Sequence, residues 1–358
     1  MSRSPIILAI DTSCDETSAA VTCGTKVLSN IVWSQANIHA SFGGVVPSTA
    51  RREHEIAING IITRALGIAK IKEYQIDTIG ITVGPGLAIA LGVGIDTAKA
   101  LSEKLKVPLI AINHLEGHIL SPLAIPTGKT RVKNLPENIF PAYGLVISGG
   151  NTVFTQINKI GSYKILAETR DDALGEALDK GARLLGLGYP GGAILEKFAV
   201  HGNKQKYELP IPLSGQESSR FFSYSGLKTA FLKLVENEKA GEGGLTKEKV
   251  YDLAASYQNT AFNHLLRIID YIIRNDYKKP LPYLLVGGGV SANLEIRDRL
   301  RHMCKVKRIT PLFPFHPKFN GDNAGMIGVA AYFKFLKNEF TDPKKIDRLP
   351  NLKLGKNK

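Results

Sequence analysis

The chain has 358 residues, 44% of them apolar and 22% charged, enough to bury a large core and more than one compact domain usually holds. A formal charge of +14 and a pI near 9.5 point to a polyanionic partner, nucleic acid ahead of membrane, since no lipidation signal or basic amphipathic anchor is visible. Cys14, Cys23 and Cys304 form an odd set without C-x-x-C spacing, which argues against a disulfide framework and a structural zinc site and fits a reducing cytoplasm.

Pro5 to Ile10 is apolar but is cut by Asp11 within a strand's length, so it reads as neither a secretory nor a spanning segment, and a soluble, cytoplasmic chain is expected. Behind it, Thr17 to Cys23 and Lys26 to Val32 alternate as strands do. A helix is predicted from Thr49 to Ala69, a strand from Thr78 to Thr82, a helix from Leu87 to Leu105 and a strand from Pro108 to Ile112. After a Pro-rich, basic connection from Pro122 to Pro141, the order β-β-β-α-β-α-β recurs. Ala142 to Ser148, Thr152 to Asn158 and Tyr163 to Glu168 read as strands, and Asp172 to Leu185 and Val250 to Asn275 as helices. Strand Tyr283 to Val286, helix Asn293 to His302 and strand Val306 to Thr310 complete the set. Gly186 to Thr246 reads as an insertion, with Glu236 to Lys249 a charged, mobile loop. The expected division is 1–135 joined by a C-terminal helix 322–340, then 136–321 with an insertion at 186–247, then a basic tail at 341–358.

Two such halves leave a cleft onto which corresponding strand ends open, and ligands should bind there. His114 and His118, four apart on a helix, project to one face and can grip one metal. Asn113 is a good N-cap and Glu116 can reach back to its amide, which would put the histidines on the first two turns, at a rim. The motif is neither H-E-x-x-H nor H-x-x-E-H, so a third ligand must come from elsewhere. Asp322, ahead of an apolar helical run, is either an N-cap or the carboxylate of a two-histidine, one-carboxylate site, an arrangement common for non-haem iron and tolerable for zinc. Ser148-Gly149-Gly150 after a buried strand suits a phosphate, and Gly287-Gly288-Gly289 with Ser291 and Asn293 suits the sugar and base of a nucleotide. Gly287, Gly289 and Ala292 also fit a dinucleotide fingerprint, but late in the chain and in the wrong sheet order. Asp11, Asp15 and Glu16 cluster after the first strand, where carboxylates can position a substrate amine or accept its proton. Arg297, Arg299, Arg301, Lys305, Lys307 and Arg308 crowd one segment, and Lys344, Lys345, Arg348, Lys353, Lys356 and Lys358 fall in the tail.

In these residues the chain resembles the TsaD-type tRNA threonylcarbamoyladenosine-synthesis family, once called glycoproteases. The matching segments are Ile10 to Thr17, Gly43 to Pro47 with Arg51 and His54, Gly84 to Leu87, Asn113 to His118, Ser148 to Thr152 and Asp179-Lys180. They continue with Tyr189 to Gly192, Ser225 to Lys228, Gly288 to Asn293 and Asp322-Asn323. Ser48, where the family commonly carries Glu, and Asn320-Gly321, where a hydroxyl residue usually precedes the Asp-Asn pair, depart from its pattern. The resemblance implies an α/β fold of duplicated actin-like ATPase type, shared with acetate and sugar kinases, heat-shock chaperones and actin. It implies metal ligands His114, His118 and Asp322, holding one divalent metal, iron ahead of zinc. It implies contacts to an adenylate from Val146, Ile147, Ser148, Gly149, Gly150, Asp179, Gly192, Glu196 and Asn293, with Asp11 at the phosphate-turn position. Asp15 and Glu16 match the acidic pair near the reaction site. The implied reaction moves the threonylcarbamoyl group of threonylcarbamoyl-AMP, made by a separate synthase, to the N6 amine of the adenosine beside a tRNA anticodon, releasing AMP. Expected partners are tRNA and either helper subunits or a second copy of the chain, without a membrane. A metallopeptidase and a nucleotide-regulated chaperone or scaffold are the rival readings.

Overall fold

The computed structural model describes residues 3–40, 42, 44–128 and 139–355. Gly43, most of the basic connection (129–138), Lys356 and Lys358 lie outside the described residues.

Two six-stranded mixed sheets form the frame. In the first, β1 (Ile6–Asp11), β2 (Glu16–Cys23) and β3 (Lys26–Ser34) run antiparallel, while β4 (Thr78–Gly84) joins β1 and β5 (Leu109–Asn113) joins β4 in parallel. Between β3 and β4 come the short α1 (Ala36–Ala40) and the long α2 (Pro47–Ala69); α3 (Ala88–Leu105) links β4 to β5. β5 runs into α4 (His114–Leu120), and β6 (Ile125–Pro126) closes the edge beside β3.

The second sheet repeats the scheme. β7 (Ala142–Ile147), β8 (Thr152–Lys159) and β9 (Ser162–Thr169) are antiparallel neighbours. α5 (Leu174–Leu184), α6 (Gly192–Ala199), β10 (Phe221–Phe222), α7 (Ser225–Ala240) and α8 (Lys247–Asp276) intervene before β11 (Tyr283–Gly287), α9 (Leu294–Lys307) and β12 (Thr310–Leu312). The spatial orders β5-β4-β1-β2-β3 and β12-β11-β7-β8-β9 match strand for strand. α10 (Ala324–Phe335) then returns to the first sheet and packs on β1, β2 and β3.

Side-chain alternation explains the layering. On β1, Ile6, Leu8 and Ile10 join the core under α2 and α3, while Ile7 and Ala9 turn to the opposite face. On β7, Tyr143, Leu145 and Ile147 face the α5, α7 and α8 side, while Ala142 and Val146 face inward. The inward faces of both sheets meet a shared core built on α4 and α10. Both central strands are therefore buried on two sides, which is why they read as continuous apolar runs.

Three local expectations are corrected. Val306, expected in a strand, sits in the last turn of α9 with 73% of its surface exposed, and the strand begins at Thr310. The segment expected as a mobile loop at Glu236 to Lys249 is mostly the end of α7 and the start of α8, whose charges are solvated helix faces tied by a 3.0 Å Lys249–Glu238 ion pair. Residues 341–355 run back along both halves. Thr341 pairs with Leu109, the Leu349 amide donates to Val83 O, and Leu354 is buried in the shared core. Among the described residues, no helix is long and apolar enough to cross a membrane.

Candidate active site

A cleft of about 840 Å³ opens between the two sheets, and the strand ends line it. At its floor β5 passes directly into α4. The Asn113 side chain caps the helix as expected, accepting from the amides of Leu115 (2.9 Å) and Glu116 (3.4 Å). Glu116 does not reciprocate. α4 is buried on every side, so this carboxylate takes partners from the packing around it: the Tyr163 hydroxyl at 2.7 Å and Lys334 at 3.6 Å. The rim position expected for the histidines is also corrected, because His114 and His118 are 5% and 0% exposed.

Helical spacing brings the two rings edge to face with centroids 4.6 Å apart. The open choice at Asp322 is resolved by its neighbour: Asn323 caps α10, accepting from the Met326 amide at 3.1 Å. The Asp322 carboxylate instead turns to the histidines, 3.4 Å from His114 Nε2 and 3.1 Å from His118 Nε2. One atom from each residue lies within 4.8 Å of the others. Despite its distance to Asp322, His118 Nε2 makes no hydrogen bond, and it is fully buried. An unbonded buried nitrogen costs roughly 1–3 kcal/mol, so an unpartnered imidazole nitrogen converging with a second imidazole and a carboxylate suits a divalent metal.

Electrostatics follow the same geometry. Burial opposes charge on His114, but the Asp322 and Asp11 carboxylates outweigh it and push the imidazole up to about 10. Burial and the neighbouring His114 hold His118 down. Burial also disfavours a charged Asp322, yet the two histidines hold its carboxyl well below the usual range.

Asp15 and Glu16 line the same cleft from the turn after β1. Burial, then the charges of Asp322 and Asp15, push Glu16 well above the usual carboxylate range, and its Oε1 accepts from Ser34 at 3.1 Å. Asp11 is fully buried behind them, 3.6 Å from His114 Nδ1, and does not line the cleft. Across the cleft, the turn after β7 is tied by the Ser148 amide donating to Asn151 O (2.8 Å) and the Asn151 amide donating to Ser148 Oγ (3.1 Å). Gly149 and Gly150 are exposed there with open space where a Cβ would stand. Val146 and Ile147 lie buried in β7, behind the turn. Gly288, at φ 94°, lies so close to Ile147 O that a Cβ would fall 2.4 Å from it, which only glycine tolerates.

Asp179 lines the cleft from α5, and its Oδ1 accepts from the amides of Gly191 (2.9 Å) and Gly192 (2.6 Å). Glu196 and Asn293 lie to one side. Glu196 accepts from the Leu294 amide at 2.7 Å and lines a neighbouring cavity of about 550 Å³, while Asn293 caps α9 and donates to Gln258. Glu176, Lys180 and Arg183 also line the cleft and were not singled out as site residues. Their i, i+4, i+7 spacing on α5 carries the signal, since it puts all three on one helix face with Asp179.

Comparison with known proteins defines first the class and then the family. T. kodakarensis HypF superposes with a TM-score of 0.57 at 14% identity, over 94% of this chain and 48% of its own. The ADPNP-bound activator of the 2-hydroxyisocaproyl-CoA dehydratase from Clostridium difficile does so at 0.52 and 14% identity, over 94% and 98%. These likenesses concern the fold alone, and with the matched sheets they make it a duplicated actin-like ATPase fold. The family model described as tRNA N6-adenosine threonylcarbamoyltransferase matches residues 26–329. Proteins of that name from Clostridium novyi (strain NT) and Thermodesulfovibrio yellowstonii are 41% and 42% identical, over 99% of both chains and over 94% and 96% respectively. The chain belongs to the tRNA N6-adenosine threonylcarbamoyltransferase family, a family of acyltransferases.

Proposed function

We propose that the cleft transfers the threonylcarbamoyl group of threonylcarbamoyl-AMP to the N6 amine of the adenosine adjacent to the anticodon in tRNA. The observation that carries this reading is the convergence on one cleft of an acidic pair, a two-histidine, one-carboxylate trio and an open glycine turn. The N6 nitrogen attacks the carbamoyl carbonyl carbon, a new C–N bond forms, and the C–O bond to phosphate breaks with its electron pair leaving on AMP. Asp15 accepts the proton lost by the amine. Ser148, Gly149 and Gly150 receive the phosphate through a turn without obstructing side chains, and Asp179, Gly192, Glu196 and Asn293 hold the nucleoside side. Val146 and Ile147 support that turn from β7, and Asp11 supports His114 from behind. His114, His118 and Asp322 would hold one divalent metal, which we assign as iron ahead of zinc and which would supply Lewis acidity toward the carbamoyl oxygen. Because the donor arrives activated, the chain's main task is to align amine and carbonyl and exclude water.

The rival peptidase reading lacks a free base on the helix of His114, since Glu116 is occupied by Tyr163 and Lys334 on the side away from the cleft lining. We further assign the chain to the cytoplasm, downstream of a threonylcarbamoyl-adenylate synthase and working with helper subunits or as a homodimer. The test incubates purified protein with threonylcarbamoyl-adenylate and unmodified tRNA, with and without partner proteins, and analyses the nucleosides by mass spectrometry. The modified adenosine is expected; metal-dependent proteolysis with no nucleoside product would replace this reading with the peptidase.

A further inference from the structure

The turn that carries Asp15 and Glu16 hangs from three successive carbonyls, each held by a different element. The Leu87 amide donates to Ser13 O at 2.8 Å, His54 Nε2 to Cys14 O at 3.0 Å, and the Gln35 amide to Asp15 O at 3.0 Å. Of these three donors only His54 is a side chain. It projects from α2, is 0% exposed, and stands apart from the metal trio.

Its other nitrogen is equally committed. Nδ1 lies 2.7 Å from Thr17 Oγ1. A carbonyl can only accept, so Nε2 carries the hydrogen, and in the neutral ring Nδ1 accepts from the Thr17 hydroxyl. Burial, the largest influence on this ring, lowers its pKa and favours that neutral form. Cys14 and Thr17 are the residues immediately before and after the acidic pair. One ring therefore grips the chain on both sides of it.

The geometry points to His54 as a positioning residue that fixes the direction in which Asp15 and Glu16 enter the cleft. This rests on the reading of Asp15 as proton acceptor given above. Productive geometry tolerates about 0.5 Å, and a misplacement of about 1 Å costs on the order of 100-fold in rate. His54 is buried, does not line the cleft and is not one of the candidate metal ligands, so its loss should act on turnover alone.

The experiment measures kcat, KM for threonylcarbamoyl-adenylate and bound metal for the wild type and for His54→Ala, His54→Gln, His54→Asn and Asp15→Asn. His54→Ala is expected to lose about 100-fold in kcat with KM and metal content unchanged. A glutamine amide nitrogen reaches the place of Nε2 and restores the bond to Cys14 O, so His54→Gln should return to within about tenfold of wild type. The asparagine nitrogen matches Nδ1 and should not rescue. If His54→Ala does not fold, the Gln-to-Asn ratio of kcat decides, and equal values overturn the role. An inactive Asp15→Asn beside a normal His54→Ala overturns the positioning role alone. A normal Asp15→Asn overturns the proton-acceptor reading, and this one with it.

Discussion

Adjacent side chains at 322 and 323 divide two tasks, facing the histidine pair and capping a helix. Asp322 faces His114 and His118, whereas Asn323 closes the first turn of α10. Asp322→Ala should therefore lose most bound metal, while Asn323→Ala should keep it and cost about 1 kcal/mol of unfolding free energy. Elemental analysis and denaturant titration of the two variants check this, and an Asp322→Ala protein with full metal content would remove the trio as a ligand set. Asp15→Asn should lower turnover more than adenylate or tRNA affinity, as expected of a group acting in the transition state. Kinetics alongside equilibrium binding read that difference. His264 gives a pH signature of its own. It is fully buried, accepts from the Ser223 amide at 3.1 Å, and burial, helped by Arg267, pulls it down to about 4. Between the unfolded value near 6.5 and about 4, the unfolded chain binds the proton and the folded one does not. Stability should thus be lost as pH falls through that window, and His264→Gln should flatten the fall in a denaturant midpoint measured at pH 6.5, 5.5 and 4.5.

At the scale of elements, β11 and α4 approach each other closely beneath the site. A Cβ on Gly287 would fall 1.9 Å from His118 O, a backbone atom that cannot swing aside. Gly287→Ala should displace α4, lowering the unfolding midpoint and bound metal together; a variant that keeps both would show that α4 moves freely. The same pair of elements shows what a sequence reveals. β5, the Asn113 cap and the histidine spacing were legible because they depend on neighbours within a few residues. The fate of Glu116 was not, because its partners Tyr163 and Lys334 come from β9 and α10. The burial of the histidines was hidden for the same reason, since a second sheet closes over α4. α6 and α7 fall in the stretch 186–246, which reads only as an insertion, because the packing that holds them comes from α5 and α8. The end of α9 was misread because Val306 favours strands locally, although a left-handed Arg308 stops the helix only after Lys307.

Across the whole molecule, the excess positive charge is distributed less simply than its sequence cluster suggests. Arg299 is held by Glu295, Asn259 and Asn263, Lys307 by Asp270 at 2.7 Å, and Arg297 by Ser291 O and Asn320. Arg301, Lys305 and Arg308 are the exposed members of the set. We expect Lys305→Glu and Arg308→Glu to flatten the dependence of log tRNA affinity on log salt by about 0.9 per lost phosphate contact, with adenylate binding unchanged. Arg299→Glu should instead lower stability, because its partners lie within the fold. Titrations at several salt concentrations separate the cases, and unchanged slopes at Lys305 and Arg308 would move the tRNA footprint to another face.

The return of α10 to the first sheet has a consequence for synthesis on the ribosome. Every described strand of the second sheet lies between residues 142 and 312, and its inward face packs on α4, which precedes it, whereas β1, β2 and β3 of the first sheet pack on a helix that begins at Ala324. A nascent chain of 320 residues therefore has all the strands of its later half and an uncovered face on its earlier one, the reverse of the usual N-terminal-first order. Amide exchange on a fragment ending at residue 320 should show protection in β7, β8 and β11 but not in β1 to β3, and the full chain should protect both. Until the final helix emerges, the half translated first remains the exposed one, and it is there that a chaperone would have most to hold.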